Sequence, residues 1–212
     1  MMFKDRFEAG RKLAERLKEY EKDNVLILAI PRGGVIIGYE VSKTIKAPLD
    51  LIIPRKLSAP GNPELAIGAV GPDGSMVLNK DIIKWLGVST KYIEAEKERQ
   101  MREVKRRMLR YRGSESLPEV KDKVVILVDD GIATGATMRA AIASVRKMGA
   151  KKIVVAVPVG PPETIKRLRK EADEVICLET PEPFFAIGQF YLDFEQVSDE
   201  EVIRFLKETK ED

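Results

Sequence analysis

Asp129 and Asp130 stand side by side after an unbroken aliphatic run, Val124-Val125-Ile126-Leu127-Val128, and before Gly131-Ile132-Ala133-Thr134-Gly135-Ala136-Thr137. Two neighbouring carboxylates can accept hydrogen bonds from neutral hydroxyls or hold Mg²⁺, but they repel a phosphate. The residues that follow have the opposite preference. A turn of small residues opening a helix offers consecutive N–H groups to an anion, and Thr hydroxyls add donors. Hydroxyl or metal at one end and phosphate at the other describe a ribose 5-phosphate.

Two other phosphate loops are excluded by spacing: no Lys-Ser or Lys-Thr follows Gly135, and Gly131 and Gly135 do not make Gly-x-Gly-x-x-Gly. Two further cationic places accompany the acidic pair. Pro31-Arg32-Gly33-Gly34 follows an aliphatic run and opens another helical pattern; alone, it could equally be a tight turn. Arg55-Lys56 ends a run from Leu49 to Pro54, where cations would face the crevice at the strand ends of an α/β sheet. Leu57 to Glu64 is rich in turn formers and reads as a mobile loop. The chain has no histidine, so acid–base chemistry falls to carboxylates, Lys, Tyr or the substrate.

Aliphatic strand, Asp-Asp, two residues and Ala-Thr-Gly-x-Thr together resemble the phosphoribosyl pyrophosphate (PRPP) signature of the type I phosphoribosyltransferases. The resemblance runs from Val25 to Leu178 and is most specific at 124–137. It implies the 5-phosphate on Ala133, Thr134, Gly135, Ala136 and Thr137. The ribose hydroxyls would meet Asp129 and Asp130, with Mg²⁺ held there through those hydroxyls or water. Pyrophosphate would meet Arg32, Gly33, Gly34, Arg55 and Lys56. Asp129, Asp130, Lys56, Arg55 and Glu64 are the catalytic candidates, Glu64 being equally a base or a loop-end charge.

The implied reaction is Mg²⁺-dependent transfer of a phosphoribosyl group from PRPP to a nitrogenous base, with release of pyrophosphate. A C-terminal hood carrying Phe185, Ile187, Phe190 and Tyr191 would face the base, although these rings could equally cover a sheet edge. Ala133 stands where oxopurine members carry an acid, which leaves the acceptor open, a purine among the candidates. The alternative is a PRPP-sensing regulator without turnover, on which a nucleic-acid partner, not expected for the enzyme, would use the basic helix near Arg99 to Arg112. A homodimer is kept open.

The elements that must position these groups alternate strand and helix, which indicates a parallel sheet covered on both sides. The resemblance makes this an α/β fold with a central, mostly parallel five-stranded sheet, a flexible loop or hairpin, and a small hood. The 212 residues fit one domain: a helix at 2–22, a core at about 23–178, the hood at about 179–197 and a last helix at 198–210, capped by Ser198 and Glu201. Helices are expected at Lys80 to Trp85 and Thr90 to Arg112, and a hairpin around Gly71-Pro72-Asp73-Gly74. A net charge of +3 gives no global field for nucleic acid or membrane. The basic stretch Arg99 to Arg112 has an apolar stripe and reads as a packed amphipathic helix. No apolar run reaches spanning length, and the chain is expected to be cytoplasmic. Cys177, between Ile176 and Leu178, reads as a core residue.

Overall fold

Strands buried on both faces need no alternation of polar and apolar residues, and the aliphatic runs of this chain pair accordingly. The computed structural model describes residues 2–211. In chain order its elements are α1 (Arg6–Glu15), β1 (Val25–Ala29), α2 (Gly34–Ile45), β2 (Leu49–Leu51), β3 (Arg55–Ala59), β4 (Asn62–Val70) and β5 (Met76–Leu78). There follow α3 (Lys80–Leu86), α4 (Thr90–Arg112), β6 (Val124–Val128), α5 (Ala136–Lys147), β7 (Lys152–Val159), α6 (Pro162–Leu168), β8 (Glu174–Glu179) and α7 (Asp199–Glu211).

Five strands form one parallel sheet in the order β2-β1-β6-β7-β8. Side chains alternate between its faces. Ile27, Ala29, Ile126, Val128 and Val154 pack with residues of α1, α2, α4 and α7. Leu28, Val125, Leu127 and Val155 pack with α5 and α6. Ala29 lies opposite Val128 in the register, so β1 and β6 end together and the chain leaves both strands side by side. Cys177 is half-buried on β8, and burial pushes its thiol up to about 11, away from reactivity.

Three expectations change. Phe3 is not helical: Asp5 caps α1 by accepting from Glu8 N–H at 2.7 Å, while Phe3 pairs with the hood through Phe3 N–H to Phe190 O and Leu192 N–H to Phe3 O, each 2.8 Å. The Asp5-x-x-Glu8 spacing is the helix-start signal that marks this boundary. The run from Leu49 to Pro54 also ends early, at Leu51, and Pro54 has no N–H with which to continue a ladder. Arg55 and Lys56 therefore open β3 in a separate antiparallel sheet, β3-β4-β5. Residues 57–64, read as a loop, lie mostly in the β3–β4 hairpin, whose strands are joined at Pro60 and Gly61.

β3 is an edge strand, and α4 covers it. Tyr92 OH donates to Ser58 O at 2.8 Å, and Glu96 accepts from Ser58 N–H at 3.3 Å. These two side chains, one helical turn apart, satisfy Ser58 where the β3–β4 register shifts. Glu96 is 4% exposed and also accepts from Gln100 and Arg99. At the other end of the hairpin sheet, Asp73 accepts from Ser144 of α5 at 2.5 Å. The arginines of α4 are largely engaged: Arg106 and Arg107 with Glu103, Arg110 with Glu200, and Arg112 through two bonds with Asp50. That fits the packed amphipathic helix and leaves little free basic surface.

Replacing Glu96 by Ala strands the Ser58 amide and frees Arg99 and Gln100. The expected cost is about 1–3 kcal/mol, a fall in Tm of several degrees, with faster amide exchange at Ser58. Unchanged exchange at Ser58 would show that α4 does not secure the hairpin.

Candidate functional site

The acidic pair sits where β6 stops, and its two members have different surroundings. Asp130 is 8% exposed, and its Oδ2 accepts from Arg6 Nε at 2.8 Å. Asp129 is half-buried, and its Oδ1 accepts from the Asp130 N–H at 2.8 Å. Burial first, and then the charge of Asp130, push the Asp129 carboxyl well above the usual carboxylate range. Tyr191 OH donates to Asp130 O at 2.6 Å, and burial raises that phenol, keeping it a donor.

The loop after β1 closes on the same pair. A Cβ at Gly33 would lie 2.0 Å from Asp130 Oδ2 and 2.8 Å from Arg6 Nε, and one at Gly34 would lie 3.1 Å from Asp129 Oδ1. The two glycines thus let α2 begin against the carboxylates, a role additional to any ligand contact. Arg32 lines the same cleft, with its Nη1 3.7 Å from Asp199 Oδ1. Phe194, Gln196 and Val197 close the far wall.

The small-residue loop after the acids is open. Ala133 and Thr134 are exposed, and Ala136 and Thr137 are half-buried. Gly135 has φ +81°, a left-handed value suited to glycine, and α5 starts after it with no side-chain cap. The Ala136 N–H makes only a long bond to the Thr134 hydroxyl, at 3.5 Å, so the first turn of α5 can receive an anion with little competition. Thr164 of α6 holds the loop by donating to Ala133 O at 2.8 Å.

A second cleft joins this loop to the hairpin. Lys56, Glu64, Thr134, Ala136, Arg139 and Arg167 all line it. The two clefts measure about 400 and 390 Å³, within the roughly 300–1,000 Å³ of small-molecule sites. Adjacent residues of a strand face opposite ways. Lys56 consequently lines the cleft, whereas Arg55 turns to α4 and donates to Gln100 Oε1 at 3.0 Å. Arg55 does not join the site, contrary to the expectation of a basic pair acting together. Glu64 is exposed at the cleft wall.

The hood divides too. Phe190 and Tyr191 are buried in the core and offer no open ring to a base. Ile187 packs on Gly131, and Phe185 is 84% exposed. Arg6, Arg139, Arg167 and Thr164 were not singled out from the sequence. Each is an ordinary residue of a helix, brought to the strand ends only by packing.

Among the described residues no group of three or more His, Cys, Asp or Glu could cage a metal, and no helix is long and apolar enough to cross a membrane.

A family model described as "Phosphoribosyl transferase domain" matches residues 4–195. A Mycobacterium tuberculosis protein, found in two strains and named as a candidate phosphoribosyl transferase, is 44% identical over 211 residues. The match takes in 100% of this chain and 48% of that protein, so the chain spans about half the length of these relatives. The crystal structure of a Thermus thermophilus protein, TT1426, superposes with a TM-score of 0.83 at 43% identity, covering 98% of this chain and 99% of that one. A 73-residue stretch, 33% of this chain and 26% of the other, is 42% identical to a ribose-phosphate pyrophosphokinase of Pyrococcus furiosus.

Replacing Gly33 by Ala forces a methyl group into the Arg6–Asp130 contact. The expected cost is about 1–3 kcal/mol, read as a lower Tm, because both neighbours are themselves fixed. An unaltered Tm would mean that the helix start and the carboxylates are not in close contact.

Proposed function

This chain belongs to the phosphoribosyl transferase family, and from that premise we propose that it transfers the 5-phosphoribosyl group of PRPP to a nitrogenous base. The observation that carries this reading is the open, uncapped start of α5 at Thr134 to Thr137, flanked by Lys56 on one side and preceded by Asp129 and Asp130 on the other. The similarity of one stretch to a ribose-phosphate pyrophosphokinase supports a ribose phosphate as the bound group.

On this reading the 5-phosphate sits on the N–H groups and hydroxyls of the Ala133–Thr137 loop, where the helix dipole favours negative charge. The ribose hydroxyls lie in the cleft at the acidic pair. Arg32, the Gly33–Gly34 backbone and Lys56 meet the pyrophosphate. A nitrogen of the acceptor attacks C1 as the C1–O bond breaks, the electron pair leaves with pyrophosphate, and the acceptor nitrogen releases its proton. Arg32 and Lys56 stabilise the departing charge, while the carboxylates tolerate positive charge growing on the ring. Glu64, exposed beside Lys56, is the carboxylate open to take a proton.

Two carboxylates without a protein cage fit Mg²⁺, which commonly binds through one or two carboxylates together with substrate phosphates. Asp129 and Asp130 would hold it through hydroxyls or water, and when bound it supplies neutralisation of the pyrophosphate. The acceptor is a planar nitrogenous base, with purines the first class to test.

The test is pyrophosphate release from PRPP and Mg²⁺ across a panel of nucleobases. Release with one base is expected; PRPP binding with silence across the panel would assign the chain to PRPP sensing instead. Lys56→Ala should weaken PRPP binding about tenfold or more, as loss of a charged contact does, with Tm little changed. Arg55→Ala should lower Tm and leave PRPP affinity near its original value. The reverse pattern would place the wrong cation in the cleft.

A further inference from the structure

Arg6 lies on the first helix, remote in sequence from every loop at the strand ends, yet it touches three of them. Its Nε donates to Asp130 Oδ2 at 2.8 Å and its Nη1 to Glu195 O at 2.7 Å. The guanidinium also lies 3.9 Å from the centroid of the Phe194 ring, and a Cβ at Gly33 would be 2.8 Å from its Nε. The residue itself is 9% exposed. We propose that Arg6 is a positioning residue which holds Asp130 away from direct service to the substrate, leaving Asp129 as the carboxylate that meets the ribose hydroxyls.

The inference rests on the ribose-phosphate reading above, and three observations carry it. First, Asp130 is held from several sides: Arg6 on its carboxylate, Tyr191 on its carbonyl and Gly33 against its Oδ2. A carboxylate so engaged is poorly placed to rearrange around a ligand. Second, both carboxylates line the cleft, but Asp129 exposes more of its surface there and has its Oδ1 engaged by the neighbouring N–H rather than by a cation. Third, two adjacent carboxylates repel each other in a poorly solvated site and would turn apart without a nearby cation. Arg6 supplies that cation through a permanently charged, directional group. Its contacts with Glu195 and Phe194 also tie the hood segment to the acidic pair, so the cleft wall and the ribose site share one anchor.

Arg6 lines the cleft as well, so a direct contact with substrate must be separated from an effect through Asp130. Calorimetric titration of PRPP with Mg²⁺, well below Tm, separates them when run on the unaltered chain, Arg6→Gln, Arg6→Lys, Asp130→Asn and the Arg6→Gln/Asp130→Asn double variant. The expected result is an affinity lower by about tenfold in Arg6→Gln, partial recovery in Arg6→Lys, and a double variant no weaker than Asp130→Asn alone. Losses that multiply in the double variant mean that Arg6 touches PRPP itself and overturn the proposal. So does a fall in Tm at unchanged affinity, which is the mark of a merely structural pair, or a loss of affinity in Asp130→Asn larger than that in Arg6→Gln, which would place Asp130 itself on the substrate. If Arg6→Gln does not fold, Arg6→Lys and its combination with Asp130→Asn provide the same cycle. No binding by the unaltered chain overturns the ribose-phosphate reading and this inference together, and it is seen before any variant is compared.

Discussion

Two carboxylates next to each other at the end of a buried strand are the constraint around which the rest of this molecule is arranged. At about 4 Å, like charges repel by roughly 1 kcal/mol in water and roughly 4 kcal/mol at the effective dielectric of a protein surface. The chain answers with one guanidinium, one backbone N–H and two residues lacking a Cβ. Arg6 pairs with Asp130, the Asp130 N–H turns back to Asp129, and Gly33 and Gly34 admit the start of α2 without a clash. None of these is local to the acidic pair except the N–H. The first helix, the loop after β1 and the hood are therefore fixed by a need that arises on β6.

The other half of the site is carried on a different layer. The acidic pair and the phosphate-type loop follow β6 of the parallel sheet, whereas Lys56 and Glu64 stand on an antiparallel hairpin. A cation on a separate sheet is useful only if that sheet is registered against the first. Registration comes from two helices. On one side α4 grips β3 through Tyr92 and Glu96, and on the other Ser144 of α5, the helix that begins at the phosphate-type loop, holds Asp73. The helix that would bind the anion thus also helps to seat the hairpin bearing the lysine.

Much of this was legible in the residues and some was not. Val124 to Val128, the acids and the loop to Thr137 announce themselves because strand, turn and helix each have a local signature, and α4 runs from Thr90 to Arg112 as its apolar stripe indicates. The β3–β4 hairpin stays hidden in the sequence because Asn62 and Pro63, turn formers by type, open β4 directly after the Pro60–Gly61 turn and make the whole stretch look like one loop. Arg55 and Lys56 were read together, since sequence adjacency does not reveal a strand until its partner is known. Arg6 had no signal at all. A single arginine on an amphipathic helix looks solvated, and only the fold brings it 124 positions along the chain to Asp130.

The hood shows how a composition can point to the right place for a different reason. Its aromatic run suggested a surface for a base, yet Tyr191 and Phe190 are core residues, and Phe194 has neighbours on its ring: Tyr191 stacked at 4.9 Å and Arg6 at 3.9 Å. Buried rings such as Phe190 and Tyr191 cannot stack on a ligand without displacing what covers them. Tyr191 and Phe194 instead lie against the Arg6–Asp130 pair, which is itself buried, and burial is what gives a single ion pair its grip, since exposed pairs are worth little. The aromatic content serves the acidic pair from behind. The open side of the cleft is lined by other groups, Gln196 and Arg32 among them.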